Sequence, residues 1–277
     1  MEPTTPQVQI PKPAIAPAPV SKWLNRGGYS DDIETKFLRI LAYGEPGSGK
    51  TNLLATFPNC FVVDADDGLL TASTEHIFGM RLKRGEETFK LLIELLTDIK
   101  LKRNGFEPTG PFGTTKSLGF DSLSKLADIL KQDIMMHPVT GSGKNGSTPA
   151  AKDSTDGKAE WDQYNLLKER LTRIVDLARE LPLHLIATAW VDYDYDKEGK
   201  PIKGVPNIVG GYKKTVGGNF DGMFFMEDRG GQDITKRYVL RTEPYGMYPS
   251  KTRLKLPGII YNPSFALLQE ALKKGSK

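Results

Sequence analysis

Cysteine is almost missing from this chain: Cys60 stands alone in 277 residues, which excludes an internal disulfide and any zinc site built on cysteine. Beside a strand-like run, it reads as a small buried apolar residue rather than a reactive thiol. Histidine is nearly as scarce, and His76, His137 and His184 are too scattered for metal-ligand spacing. No apolar stretch is long enough to span a membrane, and the N-terminus lacks the apolar core of a signal peptide. A soluble, cytoplasmic protein is expected, with no membrane partner. Excess charge is missing too: 38 Lys and Arg against 34 Asp and Glu leave a formal +4. That balance is compatible with nucleic acid but too weak to point to it, so a nucleic-acid site has to come from local clustering.

What is present is enough apolar material, 38% of residues, for a sizeable core, and one α/β domain with tails is the simplest arrangement. Residues 1–30, with Pro3, Pro6, Pro11, Pro13, Pro17 and Pro19, are expected to form an extended Pro/Ala-rich arm. From 31 to 277 strands and helices alternate. Phe37 to Tyr43, Cys60 to Asp64, Lys116 to Asp121 and Leu183 to Thr188 are short apolar runs of the kind that form buried parallel strands. Phe89, Leu92, Leu96 and Ile99 mark one core-facing helical stripe; Tyr164, Leu167, Leu171, Ile174, Ala178 and Leu181 mark a longer one. Beyond residue 220 the pattern turns strand-rich, and a last helix opens at Asn262-Pro263-Ser264, where Asn262 suits a cap and Pro263 a first turn. The expected fold class is α/β, a mostly parallel sheet flanked by helices. Two segments, about 138–158 and 191–218, break the pattern and are expected to be long flexible loops.

Gly44-Glu45-Pro46-Gly47-Ser48-Gly49-Lys50-Thr51 follows the first strand and precedes Asn52-Leu53-Leu54-Ala55, fitting the phosphate-loop pattern G-x-x-x-x-G-K-[ST] in its proper strand-to-helix context. Glycines at 44, 47 and 49 allow the open backbone angles and close approach that bring N–H groups to phosphate oxygens. Lys50 is the residue to neutralise the β and γ phosphates of ATP, and the Thr51 hydroxyl the one to ligate Mg²⁺. Residues 44 to 52 form the expected nucleotide site. Hydrolysis also needs carboxylates for the hydrated metal and for the attacking water. Ser117-Leu118-Gly119-Phe120-Asp121 is an apolar strand ending in an acid, which places Asp121 beside the phosphate loop; a helix N-cap is the other role open to it. Val63-Asp64-Ala65-Asp66-Asp67 ends another strand in an acidic cluster, for which turn capping is the alternative.

The order of these elements, followed by Phe120-Asp121-Ser122-Leu123 and Thr215-Val216-Gly217-Gly218-Asn219, resembles the core of RecA-type recombinases, whose matching strings run D-A-E, V-D-S and T-G-G-N. More closely, the span from about Lys36 to Ala271 resembles the phage single-strand annealing and recombination ATPases of the Sak-four type. The shared features are the Trp161-Asp162-Gln163-Tyr164 helix start and Lys251-Thr252-Arg253 ahead of Leu256-Pro257-Gly258. The resemblance implies a RecA-like P-loop NTPase core with a strand-rich C-terminal part, using ATP and Mg²⁺, with Asp121 orienting the metal through water. Asp66 stands where RecA has a water-activating glutamate. Being one methylene shorter it would hold the water elsewhere, so slow, DNA-stimulated hydrolysis is expected, with Asp67 as the alternative. RecA's polar sensor is not plainly matched, since Thr188-Ala189-Trp190 offers Thr188 only.

Lys251 and Arg253 resemble the finger pair of hexameric RecA-like helicases, which reaches a neighbour's γ-phosphate; two exposed surface cations are the plainer reading. The resemblance also implies a homo-oligomer, ring or filament, on single-stranded DNA, with a single-stranded-DNA-binding protein as a further partner and the host cytoplasm as location. DNA contacts fall to Lys144, Lys152 and Lys158 in the first irregular segment and to Tyr212, Lys213 and Lys214 in the second, where lysine serves phosphates and tyrosine serves bases. The expected function is ATP-dependent strand annealing or exchange. An ATP-gated DNA-binding assembly with negligible turnover, or a helicase or helicase loader, are the alternatives; a small-molecule kinase would need an arginine-rich lid that the sequence lacks.

Overall fold

A computed structural model describes residues 37–68, 77–136, 161–231 and 233–275. The expected N-terminal arm and the 138–158 segment, with Lys144, Lys152 and Lys158, lie outside the described residues. Strand β1 (Arg39–Gly44) shows why the sheet is double-sided: Leu41 and Tyr43 enter one apolar cluster, Ile40 and Ala42 another, and all four are fully buried. After it come α1 (Lys50–Ala55), β2 (Cys60–Asp64), β3 (Phe78–Arg81), α2 (Thr88–Leu101), β4 (Ser117–Asp121), α3 (Leu123–Met136) and α4 (Trp161–Glu180). Then follow β5 (His184–Tyr195), β6 (Pro201–Pro206), α5 (Tyr212–Thr215), β7 (Gly222–Asp228), β8 (Tyr238–Arg241), β9 (Lys251–Thr252), β10 (Ile259–Tyr261) and α6 (Phe265–Gly275).

The main sheet runs β10-β8-β7-β1-β5-β4-β2-β3. From β7 to β3 every neighbour is parallel, whereas β8, β9 and β10 add on antiparallel, the strand-rich end expected from the sequence. Helices α2, α3 and α4 cover the face bearing Leu41, Tyr43, Phe61, Val63 and Phe120. Leu53, Leu54 and Phe57 from and just after α1, and Phe265 and Leu268 from α6, pack the other face against Ile40, Val62 and Ile186. Cys60 is buried there, and its apolar surroundings push the thiol well above its ordinary range. No helix among the described residues is long and apolar enough to cross a membrane.

Three expectations are corrected. Segment 191–218 is not a long loop: β5 runs on past the sheet to Tyr195 and pairs antiparallel with β6, and α5 and a 3₁₀ turn follow. Its turn is built by Asp196, whose Oδ1 accepts from the N–H groups of Glu198 and Lys200 at 2.9 and 2.8 Å, with Gly199 at φ +79°. The last helix is capped by Ser264, whose Oγ accepts from Leu267 N at 3.3 Å; Asn262 is held outside it by β8. Tyr164 is exposed rather than a core residue, and Lys131 lies 5.6 Å from its ring centroid. It sits in the first turn of α4, while Leu167, Leu171, Ile174 and Ala178 are buried as expected.

Candidate nucleotide site

The carboxyl ends of four parallel strands meet at one edge of the sheet. Register aligns Gly44 with Trp190 of β5, and Asp64 with Asp121. This is where ligands collect in open α/β sheets, because side chains and loops from several strand ends converge there. Gly47 and Gly49 adopt φ of +80° and +87° in the loop between β1 and α1. A Cβ on Gly44 would lie 2.1 Å from Met226 O, so only glycine lets β1 and β7 close at this point. Glu45 and Pro46 are exposed, Ser48 is buried, and Asn52 is exposed on the first turn of α1. Lys50 is buried, its ammonium donating to Glu45 O at 2.7 Å, Gly44 O at 3.0 Å and Ser48 Oγ at 3.2 Å. Burial lowers its pKa to about 8, against the opposing pull of Asp121, Asp66 and Glu45.

Asp121 is buried and gripped on both oxygens: Thr51 Oγ1 donates to Oδ2 at 2.8 Å, and Thr188 Oγ1 to Oδ1 at 2.5 Å. Burial raises its carboxyl pKa, the two threonine bonds pull it down, and nearby Asp66 and Asp64 push it up again. The alternative role as helix cap belongs instead to Ser122, whose Oγ accepts from Lys125 N at 3.2 Å. Asp66 Oδ2 accepts from Ser122 Oγ and from the indole Nε1 of Trp190, each at 3.1 Å. Asp67 points elsewhere, its carboxylate 2.8 Å from the Arg81 guanidinium on an exposed surface. Asp64 is buried and turns the chain, its Oδ1 accepting from Asp66 N and Gly68 N. Ser122 entered the sequence reading only as part of a matched string, and Trp190 and Gly68 were given no role there; their signal is position, Ser122 following Asp121, Trp190 level with Gly44 and Gly68 close after the acids that end β2.

The site fits a magnesium-bound nucleotide. Thr51 and Asp121 converge on one point, and a Cβ on Gly68 would fall 2.9 Å from Asp121 Oδ2 and 3.6 Å from Thr51 Oγ1, so glycine leaves a cradle open there. No cluster of three or more His, Cys, Asp or Glu suited to a metal exists among the described residues. One hydroxyl and one carboxylate are what Mg²⁺ uses when phosphates and water complete its shell. Thr51 and Asp121 would hold it, and Lys50 with the loop N–H groups would hold the phosphates.

Lys251 and Arg253 are not brought to this site. Strand β9 pairs with β7 at Gly222 and Met223, whereas the phosphate loop adjoins Met226. There Lys251 Nζ donates to Gly217 O at 3.2 Å and Arg253 to Gly218 O at 3.5 Å. The expected DNA residues are corrected in part. Tyr212 is 2% exposed and accepts from Asn219 Nδ2 through its hydroxyl, so it offers no ring for stacking. Lys213 lies 3.2 Å from Asp192 and 3.0 Å from Asp194, and these bonds to the carboxylates, Asp194 foremost, raise its pKa. The side chain of Lys214 lies outside the described residues.

Fold and site together define a protein of the P-loop NTPase fold. A family model described as an AAA domain matches residues 36–254, and the chain belongs to that family of ATP-binding P-loop ATPases. A search of curated proteins found no match.

Proposed function

We propose that this AAA-domain protein hydrolyses ATP within a homo-oligomer that binds single-stranded DNA and promotes strand annealing or exchange, as in phage recombination of the Sak-four type. The observation that carries hydrolysis is the pairing of two differently held carboxylates at one strand edge, Asp121 on Thr51 and Asp66 on Ser122 and Trp190. Bound Mg²⁺–ATP supplies the phosphoryl group and most of the local charge. Lys50 offsets that charge, Thr51 and Asp121 orient the cation, and Asp66 orients the attacking water. The DNA part is supported by the order of RecA-like elements and by a 580 Å³ cavity lined in part by Lys203, Lys213, Lys251 and Asp194. With Tyr212 buried, Tyr195, 60% exposed at the hairpin tip, takes over the stacking role.

The test is ATP hydrolysis with and without single-stranded DNA, alongside particle size in each nucleotide state. Turnover stimulated by DNA, together with assembly, is the expected result. Assembly without turnover would replace hydrolysis by an ATP-gated binding function, and a monomer indifferent to DNA would overturn both.

A further inference from the structure

Trp190 occupies an unusual junction. Its backbone aligns with Gly44, the first residue of the phosphate loop, and its carbonyl accepts from Asn207 N at 2.8 Å where β6 ends. Its own N–H donates to Ser124 Oγ at 2.8 Å, and the Lys125 ammonium lies 5.9 Å from its ring centroid. The Trp190 backbone is thus held by Asn207 and by Ser124 of α3, and its indole by Lys125 and Asp66. Ser122, the second donor to Asp66, is fixed as the cap of α3.

Both donors fall on Asp66 Oδ2, and among the described residues no hydrogen bond reaches Oδ1. An indole N–H donates only: it cannot take up a proton, and unlike a cation it leaves the carboxylate its full charge. A donor of this kind orients an acid without exchanging a proton with it and, being neutral, lowers its basicity less than a cation would. Orientation matters more for aspartate than for glutamate at this position, because the shorter side chain has less reach with which to find an attacking water, and misplacement by about an ångström slows such steps steeply.

We infer that Trp190 is a positioning residue that locks Asp66 through its indole N–H, leaving Oδ1 to hold the water that attacks ATP. The inference rests on the hydrolytic reading above. Trp190→Phe keeps an aromatic ring and removes the donor; Trp190→Gln restores a donor without the ring. Relative to wild type, Trp190→Phe is expected to lower kcat about tenfold with ADP affinity unchanged within twofold, the size expected for one bond to a charged group. Trp190→Gln should recover part of that loss. Combined with Asp66→Asn, which alone lowers kcat further, Trp190→Phe should add nothing, because both act through the same carboxylate. Wild-type kcat in Trp190→Phe, additive losses, or a matching loss of ADP affinity would overturn the assignment. A second readout separates it from the parent reading. With Trp23 and Trp161 changed to Phe, the emission of Trp190 should shift on Asp66→Ala. Emission indifferent to that change would overturn the contact and leave the ATPase standing, whereas nucleotide binding without any wild-type turnover would overturn the hydrolytic reading and the positioning role with it.

Discussion

Lys50 is the residue whose chemistry the surroundings alter most usefully. Burial lowers its pKa from 10.5 to about 8, which corresponds to a cost on the order of 3 kcal/mol for keeping the ammonium charged in the fold. The unfolded chain therefore binds more protons between about pH 8 and 10.5, and stability from this group rises with pH through that window and is lowest below it. Phosphate groups beside the ammonium would reverse the shift by favouring its charged form. ATP binding at pH 8.5 is thus expected to take up a proton at a substantial fraction of sites. Calorimetric heats measured in two buffers of different ionisation enthalpy should diverge at pH 8.5 and agree near pH 6.5; buffer-independent heats at both would rule the linkage out. Asp121 contributes in the other direction. Its raised pKa means that acid reaches it earlier than an exposed aspartate, so the metal site should weaken first as pH falls.

At the scale of elements, side chains tie the part of the β5–β6 hairpin beyond Trp190 to the phosphate loop. Tyr193 donates from its hydroxyl to Glu45 Oε1 at 2.5 Å and sits 3.1 Å from the Tyr248 hydroxyl, while the Tyr248 ring stacks on Phe225 at 3.7 Å. Tyr193→Phe should cut that tie at a cost of about 1 kcal/mol or less, since the bond is solvent-exposed. Amide exchange should then rise in residues 191–206 and stay unchanged in β1 and β4; uniform acceleration would mean that the bond supports the whole domain instead. This hairpin is also where the sequence was least legible. Buried strands such as Cys60–Asp64 announce themselves by unbroken apolar runs, and the phosphate loop by its glycines and lysine. Residues 192–195 alternate Asp with Tyr in a strand that has left the core, so no apolar face marks them. The acids of the site were readable because they end strands. Their partners Thr188, Ser122 and Trp190 were less so, because which of them faces an acid depends on strand register, which one chain's local pattern does not encode.

For the whole molecule, the position of Arg253 decides whether one copy can be complete. Along β7, the pairing of Met223 with Lys251 lies three residues from Met226, whose neighbour is Gly44; at strand spacing that is about 10 Å. Arg253 N is also tied to Asp221 O at 2.8 Å, and Arg253 reaches Gly218 rather than the phosphate loop. A finger role therefore needs a second copy whose loop faces this edge, a head-to-tail contact that builds rings or filaments. Arg253→Ala should abolish hydrolysis while isolated subunits still bind ATP, and Lys50→Ala should abolish binding at its own loop while keeping its Arg253. In an equimolar mixture of the two, a complete site forms wherever an intact loop meets an intact finger, about a quarter of interfaces under random head-to-tail assembly. Turnover near that fraction of wild type is expected from two variants that are each inactive. A mixture as inactive as its components, in particles shown to contain both, would rule out a finger supplied by the neighbouring copy, whereas wild-type turnover in Arg253→Ala alone would place Arg253 among the surface cations and leave the Lys50, Thr51, Asp66 and Asp121 site to act without it.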